Sequence, residues 1–170
     1  MFLFNENLPP IRILGVDPGL RVTGYGVVDH RQGRLSLVEA GVIRTRSSQS
    51  IAERLRIIHE GLSDLIKETE PGVLALEKLY SDYRHPTTAI LMGHARGVIC
   101  LTAGETGIPL ANLPSTRVKK AILSHGHAGK DQIGRAIQGM LDIKHPIRPA
   151  DVTDALAVAV SYALTRKKEL

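Results

Sequence analysis

Three runs near the start of the chain, 11–17 (IRILGVD), 22–29 (VTGYGVVD) and 34–45 (RLSLVEAGVIRT), are apolar or alternate between apolar and polar positions. Pro18-Gly19 and Gln32-Gly33 separate them, and this pattern predicts consecutive antiparallel strands, a β-meander. From Ser50 the period changes. Ile51, Leu55, Ile58, Leu62, Leu65 and Ile66 recur at three- and four-residue spacing, the stripe of an amphipathic helix, which Pro71-Gly72 ends. The short run 73–77 (VLALE) reads as a buried parallel strand covered on both faces.

A polar loop from Tyr80 to Pro86 leads into a second helix over about 87–105, rich in small residues. Gly93 and Gly97 share one of its faces, where another backbone could approach, either a second subunit or the domain's own sheet. The run 108–113 predicts a last strand. After it come a basic helix from Ser115, a Gly/His loop over 124–129 and a short helix carrying Ile133, Ile137 and Leu141. Pro149 opens a terminal helix whose residues 155–164 are apolar nearly all round, so it must be largely buried. The sum is an α/β domain with a mixed sheet.

Composition narrows the class. At 170 residues and 43% hydrophobic content the chain has room for one sizeable core and not for two domains. Residues 1–170 are therefore read as a single domain with flexible ends at 1–10 and 166–170. The opening MFLFNENLPP lacks a basic leader and a cleavage site, and no run approaches the ~18 apolar residues of a membrane span. The single cysteine, Cys100, lies in an apolar stretch and reads as a small buried hydrophobe in a reducing cytoplasm.

The formal charge of +5 favours a polyanionic partner. Between Ser115 and Arg148 stand seven basic residues, Arg117, Lys119, Lys120, Lys130, Arg135, Lys144 and Arg148, against only Asp131 and Asp142. This segment alone carries an excess equal to that of the whole chain. It is either a solvated helix face or a surface for phosphates.

Four acids occupy unusual places. Asp17 and Glu77 each end an apolar strand, at the rim of a core where a charge is costly without a compensating cation. Asp151 and Asp154, three apart in the first turns of the terminal helix, share a face. Singly, each has a plain structural role: Asp17 beside Pro-Gly forms a turn, and acids in a first turn complement the helix dipole. Together they form an all-oxygen set suited to hard divalent ions such as Mg²⁺. Two such ions roughly 4 Å apart drive phosphodiester hydrolysis by in-line displacement. On this reading Asp17 bridges the ions and Glu77, Asp151 and Asp154 complete the two sites.

The residues around these acids resemble the RuvC family of Holliday-junction resolvases. Gly15-Val-Asp-Pro-Gly-Leu-Arg-Val-Thr-Gly-Tyr-Gly-Val27 resembles the family's opening motif, and Ala75-Leu-Glu-Lys-Leu-Tyr80 the segment bearing its second acid. Gly93-His-Ala-Arg-Gly97 is similar to GQARG and Asp151-Val-Thr-Asp-Ala-Leu-Ala157 to DAADALA, all in family order over nearly the whole chain. His94 stands where the family has glutamine, Val152-Thr153 where it has two alanines, and His85 where it often has asparagine. No departure removes a carboxylate.

The resemblance implies a ribonuclease-H-like fold with a five-stranded mixed sheet and a homodimer that makes paired symmetric nicks in four-way DNA junctions. The ends left are 5′-phosphate and 3′-hydroxyl, in recombination and repair. It assigns the catalytic, metal-binding set to Asp17, Glu77, Asp151 and Asp154, with two Mg²⁺ per site and Mn²⁺ as a substitute. It matches Lys119 and Lys130 to basic residues that face DNA, and Tyr80 to an aromatic that stacks on a base near the junction centre. Arg117 and Lys120 join the DNA-contacting set from the basic helix. His125 and His127 flank a glycine in a basic loop, as solvated side chains or phosphate contacts. A bacterial cytoplasm and a RuvA–RuvB branch-migration complex as partner are further implications of the family.

Three other readings compete. An actin-like ATPase shares the strand-Asp-Gly-strand start but needs a second lobe and a second phosphate loop. A resolvase-like RNA-processing nuclease shares the fold, and the TGYGV continuation with the final Asp-x-x-Asp argues against it. A non-catalytic junction-binding module would not require all four acids.

Overall fold

The chain is described by a computed structural model over residues 9–78, 86–123 and 129–166. Strands β1 (Ile11–Asp17), β2 (Val22–Arg31) and β3 (Arg34–Arg44) form the antiparallel meander that alternation predicts. Gln32 and Gly33, with φ of 49° and 73°, make the two-residue β2–β3 turn, both left-handed as the strand twist favours.

Helix α1 (Ile51–Thr69) starts in a reciprocal capping box, Ser50 accepting from the Glu53 amide while the Glu53 carboxylate accepts from the Ser50 amide. It buries Ile58, Leu62, Leu65 and Ile66. Ile51, the first member of the predicted stripe, is 41% exposed, because the helix reaches the sheet only from Leu55 onward.

Strand β4 (Val73–Glu77) runs parallel to β1, and after helix α2 (Pro86–Thr106) strand β5 (Leu110–Leu113) runs parallel to β4. The sheet order is β3-β2-β1-β4-β5. Helices α3 (Ser115–Leu123), α4 (Lys130–Met140) and α5 (Ala150–Thr165) complete the described chain.

Because strand side chains alternate, the two faces of the sheet feed two cores. Leu14, Val16, Val27, Leu74 and Leu76 pack with α1 and α2. Ile13, Val28, Val73 and Ala75 pack against α5, which α3 and α4 cover in turn. Buried between sheet and helices, α5 has the environment that its nearly all-apolar sequence requires. No described helix is long and apolar enough to cross a membrane.

Candidate active site

The face of the sheet that meets α5 carries two rows, Ile13-Gly15-Asp17 on β1 and Val73-Ala75-Glu77 on β4. These strands are in register, with Ile13 beside Val73 and Gly15 beside Ala75. Alternation therefore brings Asp17 and Glu77 out on the same face, one step past the last apolar pair. Both are partly buried.

Helix α5 lies on these strand ends at a distance only glycine permits. A Cβ on Gly15 would come within 2.2 Å of the Ala155 carbonyl oxygen. One on Gly24, the register partner of Asp17, would meet the Asp151 carbonyl oxygen at 2.1 Å and its Cβ at 3.0 Å. The motif glycines are thus the floor on which the first turn of α5 rests. They set Asp151 beside Asp17.

Asp17, Glu77 and Asp154 line one recess of about 330 Å³, together with Ser115, Lys119 and Lys130. Asp151 borders it over Gly24. Burial raises Asp17 to a pKa of about 7, assisted by repulsion from Asp154, Asp151 and Glu77 and opposed by Lys130. Glu77 is raised for the same first reason, burial, and then by Asp154, while Lys119 and Lys130 pull it down. Lys130 Nζ donates to Asp154 Oδ2 at 3.1 Å, and this bond is the main reason its own pKa rises.

A partly buried cluster of four acids that holds one member protonated near neutrality is short of positive charge. The donor atoms are all carboxylate oxygens, which suits a hard divalent cation. As the side chains stand, no three described acids close on a common point at ligand distance. Asp154 is turned to Lys130 instead.

Arg96, the arginine of the Gly93–Gly97 motif, has a role that the sequence leaves open. Its guanidinium donates to the Glu77 backbone carbonyl and to Asn112 Oδ1, tying α2 to the ends of β4 and β5. The Lys78 amide donates to the Leu113 carbonyl at 2.8 Å and closes the same corner. Arg96 therefore holds the backbone from which Glu77 projects.

The remaining predicted contacts divide. Lys119 and Lys130 stand in the recess wall. Arg117 does not: its Nη2 donates to the Thr165 carbonyl at 3.0 Å, at the far end of α5 from Asp151. Lys120 is exposed on α3 and does not line the recess. Tyr80, His85, His125 and His127 lie outside the described residues. No atom of the described residues lies within 4 Å of where a Cβ on Gly93 or Gly97 would stand, so among these residues that face does not pack on the domain's own sheet. Cys100 is half-buried against the α1/α2 core and is a free thiol.

Residues 13–162 match the family model described as crossover junction endodeoxyribonuclease RuvC. A protein of that description from Rhodopirellula baltica is 49% identical over 148 residues, covering 87% of this chain and 83% of its own length. One from Moorella thermoacetica is 40% identical over 151 residues, with 89% and 90% covered. Among solved structures, Thermus thermophilus RuvC in complex with Holliday junction substrate superposes with a TM-score of 0.86. It is 30% identical, with 91% of this chain and 93% of that one covered.

Proposed function

Since the chain belongs to the RuvC family of crossover junction endodeoxyribonucleases, with its ribonuclease-H-like fold, we propose that it resolves four-way DNA junctions at the recess bounded by Asp17, Glu77, Asp151 and Asp154. The observation that carries this is the meeting of acids from three distant segments at one cation-hungry place. In this reading residues 1–170 act as one nuclease domain.

When bound, two divalent ions, Mg²⁺ or in its place Mn²⁺, supply an activated water and neutralise the leaving oxyanion. Asp17, Glu77, Asp151 and Asp154 would hold these ions. Asp154 releases Lys130 as it turns inward, and the freed ammonium stands ready for a phosphate oxygen. Lys119 faces the same phosphate from the α3 side. The water oxygen bonds to phosphorus while the P–O3′ bond breaks, the water gives up a proton to solvent and O3′ takes one from it, and a 5′-phosphate and a 3′-hydroxyl result. Asp17 and Glu77, carried on strand ends, need little reorganisation to do this, whereas Asp154 turns in from Lys130.

Paired nicks require two such sites. The outer face of α2 presents Ile90 and Leu101, 61% and 55% exposed, in line with Gly93, Gly97 and Gly104. This apolar, small-residue stripe is where a second copy docks, giving a two-fold dimer that matches the approximate symmetry of an open junction. A bacterial cytoplasm suits the lone thiol, and a RuvA–RuvB complex is the branch-migrating partner that the family supplies.

The test is cleavage of a labelled, branch-migratable junction beside linear duplex and RNA–DNA hybrid, with Mg²⁺, Ca²⁺ or chelator. Mg²⁺-dependent paired nicks in the junction alone are expected. Preferential cutting of the hybrid, or binding without cutting in Mg²⁺ and Mn²⁺, would overturn the reading.

A further inference from the structure

Beyond the Lys130–Asp154 pair the recess continues into a larger groove of about 820 Å³. Its walls are the outer face of α4, the 146–150 segment and the end of β3, and Lys130 and Asp154 line both cavities. Arg44, Arg135 and Arg148 project into it from those three separate elements. Lys130 and Asp154 neutralise each other, so three guanidinium groups face the single remaining acid, Asp131.

None of these arginines has an ion pair or hydrogen bond to a described residue. Elsewhere Arg12 is bound by Asp29, Arg56 by Glu60, Arg96 by Glu77 and Asn112, and Arg117 by Thr165, while Arg21, Arg34 and Arg46, whose side chains also have no partner among the described residues, stand outside this groove. Unanswered arginines gathered in one concavity mark a place for an anion. The planar fork suits phosphate oxygens better than a point charge does. Among the described residues the lining contains no aromatic side chain, so these residues offer no stacking platform for a base. Continuity with the recess selects the source of the phosphates.

We propose that this groove seats the sugar-phosphate backbone of one duplex arm as it leaves the cutting site, with Arg135 and Arg148 as principal phosphate contacts and Arg44 at the far wall. The proposal rests on the reading of the recess as the nuclease centre. It adds a track on the α4 side that is separate from Lys119 on α3, and so fixes the direction in which an arm exits. Phosphate contacts of this kind position DNA without reading its sequence.

The test compares R135Q/R148Q with a control that removes two exposed charges elsewhere, R34Q/K67Q, in the full-length protein. Junction affinity is measured in Ca²⁺ across a salt series, and single-turnover cutting in Mg²⁺ at saturating junction. All four side chains are exposed, so folding is checked by melting temperature alone. Removing one phosphate-binding side chain lowers the slope of log affinity against log salt by about one. The groove variant is expected to lower it by about two, to bind roughly 10- to 100-fold more weakly near physiological salt, and to cut at the wild-type rate when saturated. R135K/R148K, which keeps the charge, is expected to retain most of the slope. A wild-type slope in R135Q/R148Q, or an equal fall in the control, overturns the proposal. Failure of the wild type to cut any junction overturns the underlying reading instead, and the two failures are thereby distinct.

Discussion

Asp17 retains its proton to about pH 7 because it is buried beside three other acids and no described basic group hydrogen-bonds to it. The folded chain thus binds this proton more tightly than the unfolded chain, where the ordinary value is 3.8. Stability contributed by the protonated form is present below about pH 4 and is lost as pH rises toward 7. The penalty above that is on the order of 4 kcal/mol before allowance for water in the recess. Metal-free Asp17→Asn is therefore expected to melt higher than wild type at pH 8, by up to about 10 °C, and level with it at pH 4. Thermal melts in chelator check this, and an equal difference at both pH values would contradict it. Adding Mg²⁺ at pH 8 is expected to raise the wild-type melting temperature.

Arg96 makes a second residue-scale prediction. Arg96→Lys cannot span the Glu77 carbonyl and Asn112 together, so cutting should fall roughly 10- to 100-fold while junction affinity in Ca²⁺ stays near wild type. The fall should be eased by higher Mg²⁺, since the substitution loosens Glu77 without removing it. A fall in cutting insensitive to Mg²⁺ would mean that Arg96 serves the fold rather than the metal site.

Among the elements, α5 and the β1–β2 hairpin depend on each other at the glycine floor. Gly15→Ala drives a methyl into the Ala155 carbonyl, and backbone cannot rotate away as a side chain does. Overpacking of this kind costs about 2–3 kcal/mol, a fall of roughly 5–10 °C in melting temperature. Cutting should fail even where the variant is folded, because the first turn of α5 lifts Asp151 and Asp154. Gly61→Ala meets only the Ile43 side chain, its Cδ1 at 2.9 Å and Cγ1 at 3.1 Å, which can shift where backbone cannot, and should cost much less in both. Differential scanning calorimetry and a cleavage assay separate the two.

The meander, α1, β4 and α5 were all legible in the chain, because alternation, three-to-four spacing and apolar runs are properties of consecutive residues. The four acids were legible for a related reason: each breaks the pattern of its own element. The floor under α5 was not, since Gly15 and Gly24 show their purpose only once the helix above them is known. Arg96 was hidden because it binds a backbone carbonyl, which every residue has. Arg117 sits in the same basic run as Lys119, and only the turn of α3 sends one to Thr165 and the other to the recess.

At the scale of the whole molecule, the recess, the basic groove and the exposed α2 stripe imply a division of labour. On the proposed reading one face cuts and holds an arm, and another pairs the subunits. Leu101→Glu places a charge in the middle of the stripe without touching the core. It is expected to yield monomers by sedimentation and to make nicked junctions accumulate, since the two cuts lose their coupling. A dimer of wild-type strength in that variant would place the interface elsewhere.

The central claim is that the four-acid recess performs the cut while recognition lies around it, and Asp17→Asn divides the two most directly. Binding of a four-way junction in Ca²⁺ and its single-turnover cleavage in Mg²⁺ are measured on the same preparation. Affinity within a few-fold of wild type and cleavage reduced at least about a hundredfold are expected. Cleavage near the wild-type rate would show that the phosphodiester bond is broken elsewhere.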